Sequence, residues 1–555
     1  MLTSKSNWLY LIILSPIVLF WLILWQYAVN VPWFDDIDAF PETVVIWIKH
    51  NNWLDRLTLL LRPNNEHRMF LGRLAAVLCY EFTGKLNIRS LILVTNIQLM
   101  GIVFLFWKTF TRQKLALIYF LPVLFFLLQP QYHLTSNWAI TGWQHISVLF
   151  WGFLTVYLLC KNNYTAFGVA IITMFITTFS MSNGLLFWFV GSILLALQQR
   201  FKLLFIWAAF MIIAIGLYFY GFDNSANGAG LAYLKAHPEE SFFGFFTFLG
   251  GAFDFTPDVE IVKRAIVPTL MGFTTVGILA FLIFKIFFKN SIQKWTKLEA
   301  RDTLFIIGCL LFVLFNAGII ALLRPRFGYF VMLVGNYKIY PALFLSLLYL
   351  LVSSYGKTTT KFKLLNSILL FSILFSVVSY AKYVPEVSTR KKNLLVCGFN
   401  QKYNHIGLAA EVNSLFAQKT EETLTFLTSR NAYEFPVWLN ESLIVRPFDS
   451  TNQIMPLVID KATPTTVNII NNSFTGSQEG LNGAYVLLKS NLRTYLLPTL
   501  KNPYSGRNPF KSSVGFRTTI PAKLIQMGDY TIGIYIKNQG QEQVFQTKQT
   551  VHIDF

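Results

Sequence analysis

Residues 8–40 read WLYLIILSPIVLFWLILWQYAVNVPWFDDIDAF and place a long apolar run directly before three aspartates. The run at 8–29 carries no charged side chain, and about 20 apolar residues are enough to cross a ~30 Å hydrocarbon layer. It is too long for the apolar core of a signal peptide, and no small-x-small cleavage site follows it. We therefore interpret this stretch as a retained first membrane span.

The rest of the chain has the same apolar character up to residue 384. Of its 555 residues, 54% are hydrophobic and only 13% are charged, and its mean hydropathy is +0.49. Soluble domains do not reach this composition. We predict a polytopic α-helical membrane protein with about eleven spans, at 8–29, 90–110, 114–129, 139–160, 163–180, 184–198, 202–222, 265–288, 303–323, 337–355 and 364–384.

The net charge of +19 does not indicate a nucleic-acid partner, because the basic residues are scattered among apolar segments. With a cytoplasmic amino terminus, the inner loops hold most of the Lys and Arg of the membrane region, as the positive-inside rule requires. This topology requires residues 68–84 to form a helix in the outer interface instead of a span. Residues 30–89 then form one long outer loop.

After residue 384 the sequence changes to short alternating runs separated by Asn, Gly, Pro and Ser. The runs that predict strands are TLTFLTS at 423–429, ESLIVRPF at 441–448, and those at 465–474, 483–491, 493–500, 512–521, 529–538 and 545–555. One helical segment, 405–418, precedes them. We predict a membrane domain at 1–384 and an extracytoplasmic all-β sandwich at 385–555, with a short helical linker.

Asp35, Asp36 and Asp38 are the most informative polar residues. Ionised carboxylates at a bilayer boundary are costly unless they are solvated or paired, so this group needs a cation, an arginine or a hydroxyl substrate. Trp33 and Phe34 beside them are typical of residues that hold a segment at the membrane interface. The four cysteines have neither disulfide nor zinc spacing, and no metal site is predicted.

A first span followed at once by acids in a large outer loop, with about eleven spans, resembles the GT-C superfamily of membrane glycosyltransferases. The resemblance covers residues 1–384 and is closest to the protein mannosyltransferase and aminoarabinose transferase type. It is carried by FDDID at 34–38, NEHRMFLGRL at 65–74, NWAITGWQ at 137–144 and RPRFGYFVMLVGNYKIYP at 324–341. Each of these motifs is short.

The resemblance implies transfer of a sugar from a polyprenyl-phosphate carrier to a hydroxyl of a glycan, lipid or protein acceptor at the outer face of the membrane. An acid of the first loop would be the general base, so Asp36 or Asp35 would take the proton of the acceptor hydroxyl. Asp38 would hold a cation or orient the loop. The chemistry leaves open which acid acts.

The leaving phosphate needs fixed positive donors. The resemblance places Arg324, Arg326, Tyr337 and Lys338 there, although Arg and Lys near helix ends also reach lipid headgroups without any catalytic role. Glu66, His67 and Arg68 would position the donor. Whether Mg²⁺ or Mn²⁺ takes part stays open, because one short loop supplies too few oxygens for a hard cation.

Other polar groups stay outside the predicted site. Trp138, Trp143, Gln144 and His145 suit either sugar stacking or an interfacial aromatic belt, and the belt is favoured. A binding role and a purely structural role are also both open for Asp254, Asp258, Lys263 and Arg264.

The expected location is a bacterial inner membrane, with membrane lipids as partners. The sequence leaves open a transporter or flippase for lipid-linked saccharides, although it shows no matching halves. A ligase or polymerase acting on the same donors also stays open. Absence of the GxxxxGK[ST] and GxGxxG patterns argues against an ATP-driven pump and a nucleotide-sugar enzyme.

Overall fold

The computed structural model describes residues 4–64, 67–222, 228–289, 301–355, 358–408, 410–448, 455–463, 466–503, 512–521, 523–538 and 540–554. The chain divides into two compact units. The first unit comprises Met1–Ala28, His50–Ala75 and Leu91–Val384, and the second comprises Val29–Lys49, Ala76–Ser90 and Pro385–Phe555. The segment with the three aspartates therefore belongs to the same unit as the C-terminal residues.

Nine helices in the described part of the chain are long and apolar enough to cross a membrane. They are Leu9–Tyr27, Ile88–Thr111, Leu117–Ser136, Ala139–Leu159, Phe201–Phe219, Ile261–Ile286, Arg301–Leu323, Gly335–Ser354 and Lys361–Asn404. Tyr164–Thr178 and Ser182–Leu197 are shorter apolar helices. The predicted spans all fall on these two groups of helices.

Two of these segments are interrupted, and further helices connect the spans. Leu117–Ser136 contains the helices Leu121–Leu127 and His133–Ser136, while Ala139–Leu159 contains a π-helical turn at Gly142–Ile146. The remaining helices are Asp36–Ala39, Pro41–Lys49, Trp53–Leu61, Phe70–Thr83, Gly228–Ala236, Pro238–Leu249, Leu415–Ser429 and Glu441–Val445. Gly228–Ala236 and Pro238–Leu249 lie between the predicted spans 202–222 and 265–288 and were not predicted as helices.

The first unit exposes apolar side chains as a membrane protein does. On the helix Phe201–Phe219, Phe205 is 77% exposed and Ile212 is 69% exposed, whereas Trp207 is fully buried. Large apolar side chains exposed along a long helix are stable in lipid and costly in water. The chain is therefore an integral membrane protein.

The second unit contains two four-stranded antiparallel sheets, and the first unit contains a short hairpin. The hairpin strands are β1 (Pro63–Asn64) and β2 (His67–Arg68). The strands of the second unit are β3 (Val458–Thr463), β4 (Thr466–Asn471), β5 (Gly483–Lys489), β6 (Thr494–Pro498), β7 (Leu500–Pro503), β8 (Ser512–Ile520), β9 (Gly528–Asn538) and β10 (Gln541–Ile553). Their orders are β10-β9-β5-β6 and β3-β4-β8-β7.

The two sheets share one hydrophobic core. Ile469 of β4 and Phe516 of β8 belong to the same buried cluster as Val486 of β5 and Ile534 of β9. Strand β5 is buried along its whole length, because Tyr485 and its neighbours on the opposite face enter a second cluster. That double burial explains why GAYVLLK is almost continuously apolar instead of alternating.

The helix Thr358–Asn404 covers one edge of the first of these sheets. Asn400 accepts the Leu496 N–H at 2.8 Å and donates to the Leu496 carbonyl at 2.9 Å. Asn404, one turn later, makes the same pair of bonds with Thr494 at 3.0 and 2.8 Å. Strand β6 is an edge strand, and these two amides satisfy backbone groups that would otherwise be free for pairing.

Two runs predicted as strands are helical. Residues 423–429 lie in the helix Leu415–Ser429, which Ser414 begins by accepting the Ala417 N–H at 3.1 Å. Residues 441–445 form the helix Glu441–Val445, capped by Asn440. The Ser and Asn caps outweigh the strand preference of the Thr and Val residues in short runs.

Asn30 joins the aspartate segment to the C-terminal residues of its unit. Its side chain donates to the Glu434 carbonyl at 2.9 Å and accepts the Ile88 N–H at 2.7 Å. The Tyr433 hydroxyl donates to the Asn30 carbonyl at 2.8 Å. A membrane-proximal loop is thereby fixed by residues about 400 positions away, as the sequence separations of 403 and 404 show.

Gly515 and Gly540 offer a matched test of the sheet packing. Both have positive φ, at +96° and +91°, so alanine costs about 1–2 kcal/mol of backbone strain at either site. A Cβ on Gly515 would lie 1.9 Å from the Asn471 carbonyl oxygen, whereas a Cβ on Gly540 meets nothing within 4 Å. We expect Gly515→Ala to cost ~1–3 kcal/mol more than Gly540→Ala, measured by denaturant unfolding of the full chain in detergent. Equal losses would contradict this packing.

Candidate functional site

The aspartate segment forms a tight turn that leads into the short helix Asp36–Ala39. The Trp33 N–H donates to Asp36 Oδ2 at 3.0 Å, and Phe34 adopts a φ of +50° before the helix begins. Asp36 is 1% exposed, whereas Asp35 and Asp38 are half-buried. The three neighbouring acids therefore occupy different environments.

Buried Asp36 has a nearby cation in its own unit. The Arg390 guanidinium lies 4.6 Å from the Trp33 ring and interacts electrostatically with Asp36. Tyr433 also lies within electrostatic range of this carboxylate. A buried carboxylate is tolerated when a cation and hydrogen bonds balance it, so Asp36 is placed to hold the segment in position.

Asp38 is paired with a lysine of the helix Leu415–Ser429. Lys419 Nζ lies 2.8 Å from Asp38 Oδ1 and 2.9 Å from a Glu42 oxygen. Burial alone lowers the pKa of Lys419, but the hydrogen bonds to Asp38 and Glu42 outweigh it and the pKa is raised. Asp38 is thus engaged with a structural cation.

The surroundings of Asp35 favour its protonated form. Burial, and secondly the charge of Asp38, raise the pKa of Asp35 above its ordinary value of 3.8. A carboxylate with a raised pKa binds a proton more strongly than an ordinary aspartate does. A group that accepts a proton needs this property, whereas Asp36 and Asp38 interact with the cations Arg390 and Lys419.

The first unit holds a separate polar cluster around His145. Its Nδ1 lies 2.8 Å from the Tyr340 hydroxyl, which also accepts a 2.8 Å hydrogen bond from Asn183 Nδ2. Asn183 in turn donates to Asn316 Oδ1 at 3.0 Å. His145 lies in the π turn Gly142–Ile146, a distortion that often marks functional positions in helices.

Three predicted residues lie around this imidazole. The Tyr337 ring packs edge-on against His145 with centroids 5.6 Å apart. His67 and Arg324 both interact electrostatically with His145. The cluster thus combines one permanent cation, two imidazoles and two phenols, a set that can bind the oxygens of a phosphate ester.

The belt interpretation of residues 138–145 does not fit the structure. Trp138, Trp143, Gln144 and His145 are 3–9% exposed and face the interior of their unit. Trp143 donates to the Leu91 carbonyl at 3.2 Å. An interfacial belt requires aromatic side chains at the lipid boundary, so these residues are part of a polar interior.

Lys338 is held by an ionic cluster that the sequence did not indicate. Its Nζ lies 2.7 Å from Asp254 Oδ2 and 2.6 Å from the Tyr383 hydroxyl. Arg264 Nε donates to the same carboxylate at 3.0 Å, and the Tyr383 hydroxyl donates to the Asp254 carbonyl. With side chains 0% exposed for Asp254 and 3% for Lys338, this lysine is engaged in a buried ion pair.

Arg68 fixes backbone in the first unit. Its Nε donates to the Tyr218 carbonyl at 2.7 Å, and its other nitrogens donate to the carbonyls of Leu61 and Tyr220. The fully buried Arg73 donates to the Leu59 and Pro63 carbonyls at 3.2 and 3.3 Å. Together these arginines hold the β1–β2 hairpin, which carries His67.

The remaining predicted site residues are Arg324, Arg326 and Glu66. Arg324 and Arg326 are half-buried, with guanidinium groups 5.7 and 4.7 Å from the Phe327 ring. Glu66 lies outside the described residues. Within the described ranges, no group of three or more His, Cys, Asp or Glu side chains is placed to hold a metal ion.

Long-range pairing explains what sequence patterns missed. Asp254 and Tyr383 meet Lys338 across 84 and 45 residues, and Asn183 meets Asn316 across 133. A polar residue inside an apolar span was the one available signal, since such residues are costly unless they are paired or functional. No family model, no curated protein and no solved structure matches this chain.

Proposed function

We propose that the chain is a membrane glycosyltransferase that moves a sugar from a polyprenyl-phosphate carrier to an acceptor hydroxyl. The observation that supports it best is Asp35, a half-buried carboxylate with a raised pKa next to a membrane span. A hydroxyl becomes a competent nucleophile when such a base removes its proton in the transition state. In this proposal Asp35 is the base, and Asp36 and Asp38 position its segment.

The first unit supplies the second part of the proposal. Arg324, His67 and Tyr337 around His145 suit the phosphate group of a polyprenyl-phosphate carrier. The ion pair with Asp254 makes Lys338 a less available donor than the sequence predicted. Arg326 remains a candidate for the same phosphate, and Glu66 for the sugar.

The finer architecture belongs to this proposal. It comprises eleven spans with a GT-C-like arrangement, a β-sandwich built from the two sheets, and a bacterial inner membrane with the C-terminal residues outside. The shared core of the two sheets supports the sandwich. The eleven apolar helices support the span count.

One observation favours a second candidate, a transporter or flippase for lipid-linked saccharides. The network of His145, Tyr340, Asn183 and Asn316 is buried among apolar helices, and intramembrane polar networks commonly line transport pathways. Reconstitution into vesicles with a panel of polyprenyl-phosphate sugars separates the two functions. A glycosyltransferase consumes the carrier-bound sugar and forms a new glycoside with an acceptor, whereas a flippase moves the intact lipid across the bilayer.

The topology has a direct test at the two ends of the helix Ile88–Thr111. Ser90 and Thr111 are both exposed, and about 21 residues of helix span ~30 Å between them. In a variant without Cys79, we expect a membrane-impermeant maleimide to label Ser90→Cys in intact cells. Thr111→Cys should react only after the membrane is permeabilised. Labelling of both in intact cells would rule out this orientation.

A further inference from the structure

The second unit has a polar cleft that the proposed chemistry does not use. Its volume is about 390 Å³, and it lies among the ends of the helices Thr358–Asn404 and Leu415–Ser429 and the segment 431–437. A hollow of about 320 Å³ adjoins it and shares Lys85, Glu434, Phe435 and Val437. Volumes of ~300–1,000 Å³ are typical of small-molecule sites.

The charged residues that line the cleft lie in ion pairs, two of them within the lining and one, that of Lys402, with Glu441 outside it. Lys85 Nζ lies 2.7 Å from a Glu434 oxygen, and His405 Nδ1 lies 3.5 Å from a Glu421 oxygen. Lys402 pairs with Glu441 at 2.5 Å. A site for a phosphate or a carboxylate needs uncompensated positive charge, so the balance here favours a neutral ligand.

The uncharged lining supplies hydrogen bonds and a ring surface. Gln401 is 4% exposed, and its Oε1 is buried with no hydrogen-bond partner in the described parts of the chain. Thr425, Thr428 and Asn431 add hydroxyl and amide groups, and Phe435 adds an aromatic ring. Hydroxyl and amide groups at the cleft surface can hydrogen-bond to the hydroxyls of a neutral ligand.

We propose that this cleft binds a neutral saccharide. Sugars present several hydroxyls for amide and hydroxyl partners and an apolar C–H face for an aromatic ring, the combination found here. The adjoining hollow gives room for more than one sugar residue. Naming this saccharide as the acceptor of transfer rests on the proposed function, whereas its binding does not.

Asn431 and Asn413 provide a matched pair for the test. Both are exposed asparagines with positive φ, at 55° and 62°, but only Asn431 lines the cleft. Binding of cellobiose and chitobiose to the full chain in nanodiscs is measured by saturation-transfer NMR and calorimetry, with inorganic phosphate as the anionic probe. We expect saturable disaccharide binding that Asn431→Ala weakens at least about fivefold and Asn413→Ala leaves unchanged.

A second variant is needed because Asn431 is exposed, and the substitution of an exposed residue can change binding only slightly. Gln401→Leu removes the buried amide, and we expect it to weaken binding at least as much as Asn431→Ala does. Failure of both disaccharides to bind, tighter binding of phosphate, or equal losses in the two asparagine variants would each overturn the inference.

The test also separates this inference from the proposed function. Binding should persist in Asp35→Asn, because that carboxylate does not line the cleft. Disaccharide binding without any transfer by the wild type would sink the glycosyltransferase proposal alone. Transfer with an acceptor KM that Asn431→Ala does not change would sink the saccharide cleft alone.

Discussion

Asp35→Asn is expected to lower the turnover number by about 100- to 10,000-fold, since removal of a general base forfeits a factor of this size. The raised pKa of Asp35 means that folding favours its protonated form over the ionised one. Stability from this group is therefore present at low pH and falls as the pH rises through the raised pKa. The asparagine variant should unfold at the same or a higher temperature than the wild type at pH 7, while it loses activity.

The pH profile of transfer distinguishes Asp35 from its neighbours. Activity should rise with pH as Asp35 loses its proton, with a midpoint above 3.8. Asp38→Asn removes a charge that raises the pKa of Asp35, so its pH profile should shift to lower pH. Full turnover in Asp35→Asn with loss in Asp36→Asn would assign the base to Asp36, and full turnover in both would refute a base in this segment.

Asp254→Asn is expected to destabilise the first unit by about 3–5 kcal/mol, because it leaves buried Lys338 and half-buried Arg264 beside a neutral amide. Burial alone raises the pKa of Asp254, but hydrogen bonds from Arg264 and the charge of Lys338 outweigh it and the pKa is lowered. The stabilisation is thus complete above the ordinary value of 3.8 and is lost only as the pH falls through the lowered pKa. Thermal unfolding in detergent at pH 7 measures the loss.

Asp258 provides the control for this ion pair. It lies on the same loop and pairs with Lys382 at 2.8 Å, but its side chain is 86% exposed. Exposed pairs contribute about 0–1 kcal/mol, so Asp258→Asn should change stability little. The double variant Asp254→Asn with Lys338→Met should recover part of the lost stability, because it removes one uncompensated charge. Similar losses for Asp254→Asn and Asp258→Asn would contradict a structural role for the buried cluster.

Much of the helical architecture is predictable because membrane helices obey a simple length rule. A run of apolar residues such as 8–29 must bury its backbone polar groups in a helix, whatever the rest of the chain does. The helices Gly228–Ala236 and Pro238–Leu249 were not predicted, because they are shorter than a membrane span and lie between two predicted spans. The strand prediction at 423–429 was wrong because Ser414 caps a helix that includes these residues.

The candidate site was predictable only where the sequence itself concentrates charge. Asp35, Asp36 and Asp38 were predicted because three acids beside a span are unusual, but the differences among them depend on Lys419 and Arg390, which lie hundreds of residues away. The partners of Lys338 were not predicted for the same reason, since they are 45 and 84 residues away in the sequence. A single sequence does not indicate which residues so far apart in the chain lie in contact.

The direction of the His145 imidazole depends on the number of residues in the π turn Gly142–Ile146 and not on the identity of a neighbouring side chain. A π turn holds one residue more than an α-helical turn, and each residue of an α-helix rotates the chain by about 100°. Deleting a single residue there would restore a regular helix and turn the imidazole away from Tyr340. The residues of the polar cluster themselves would be unchanged. Insertion and deletion, more than point substitution, are therefore the changes by which a lineage would gain or lose this polar cluster.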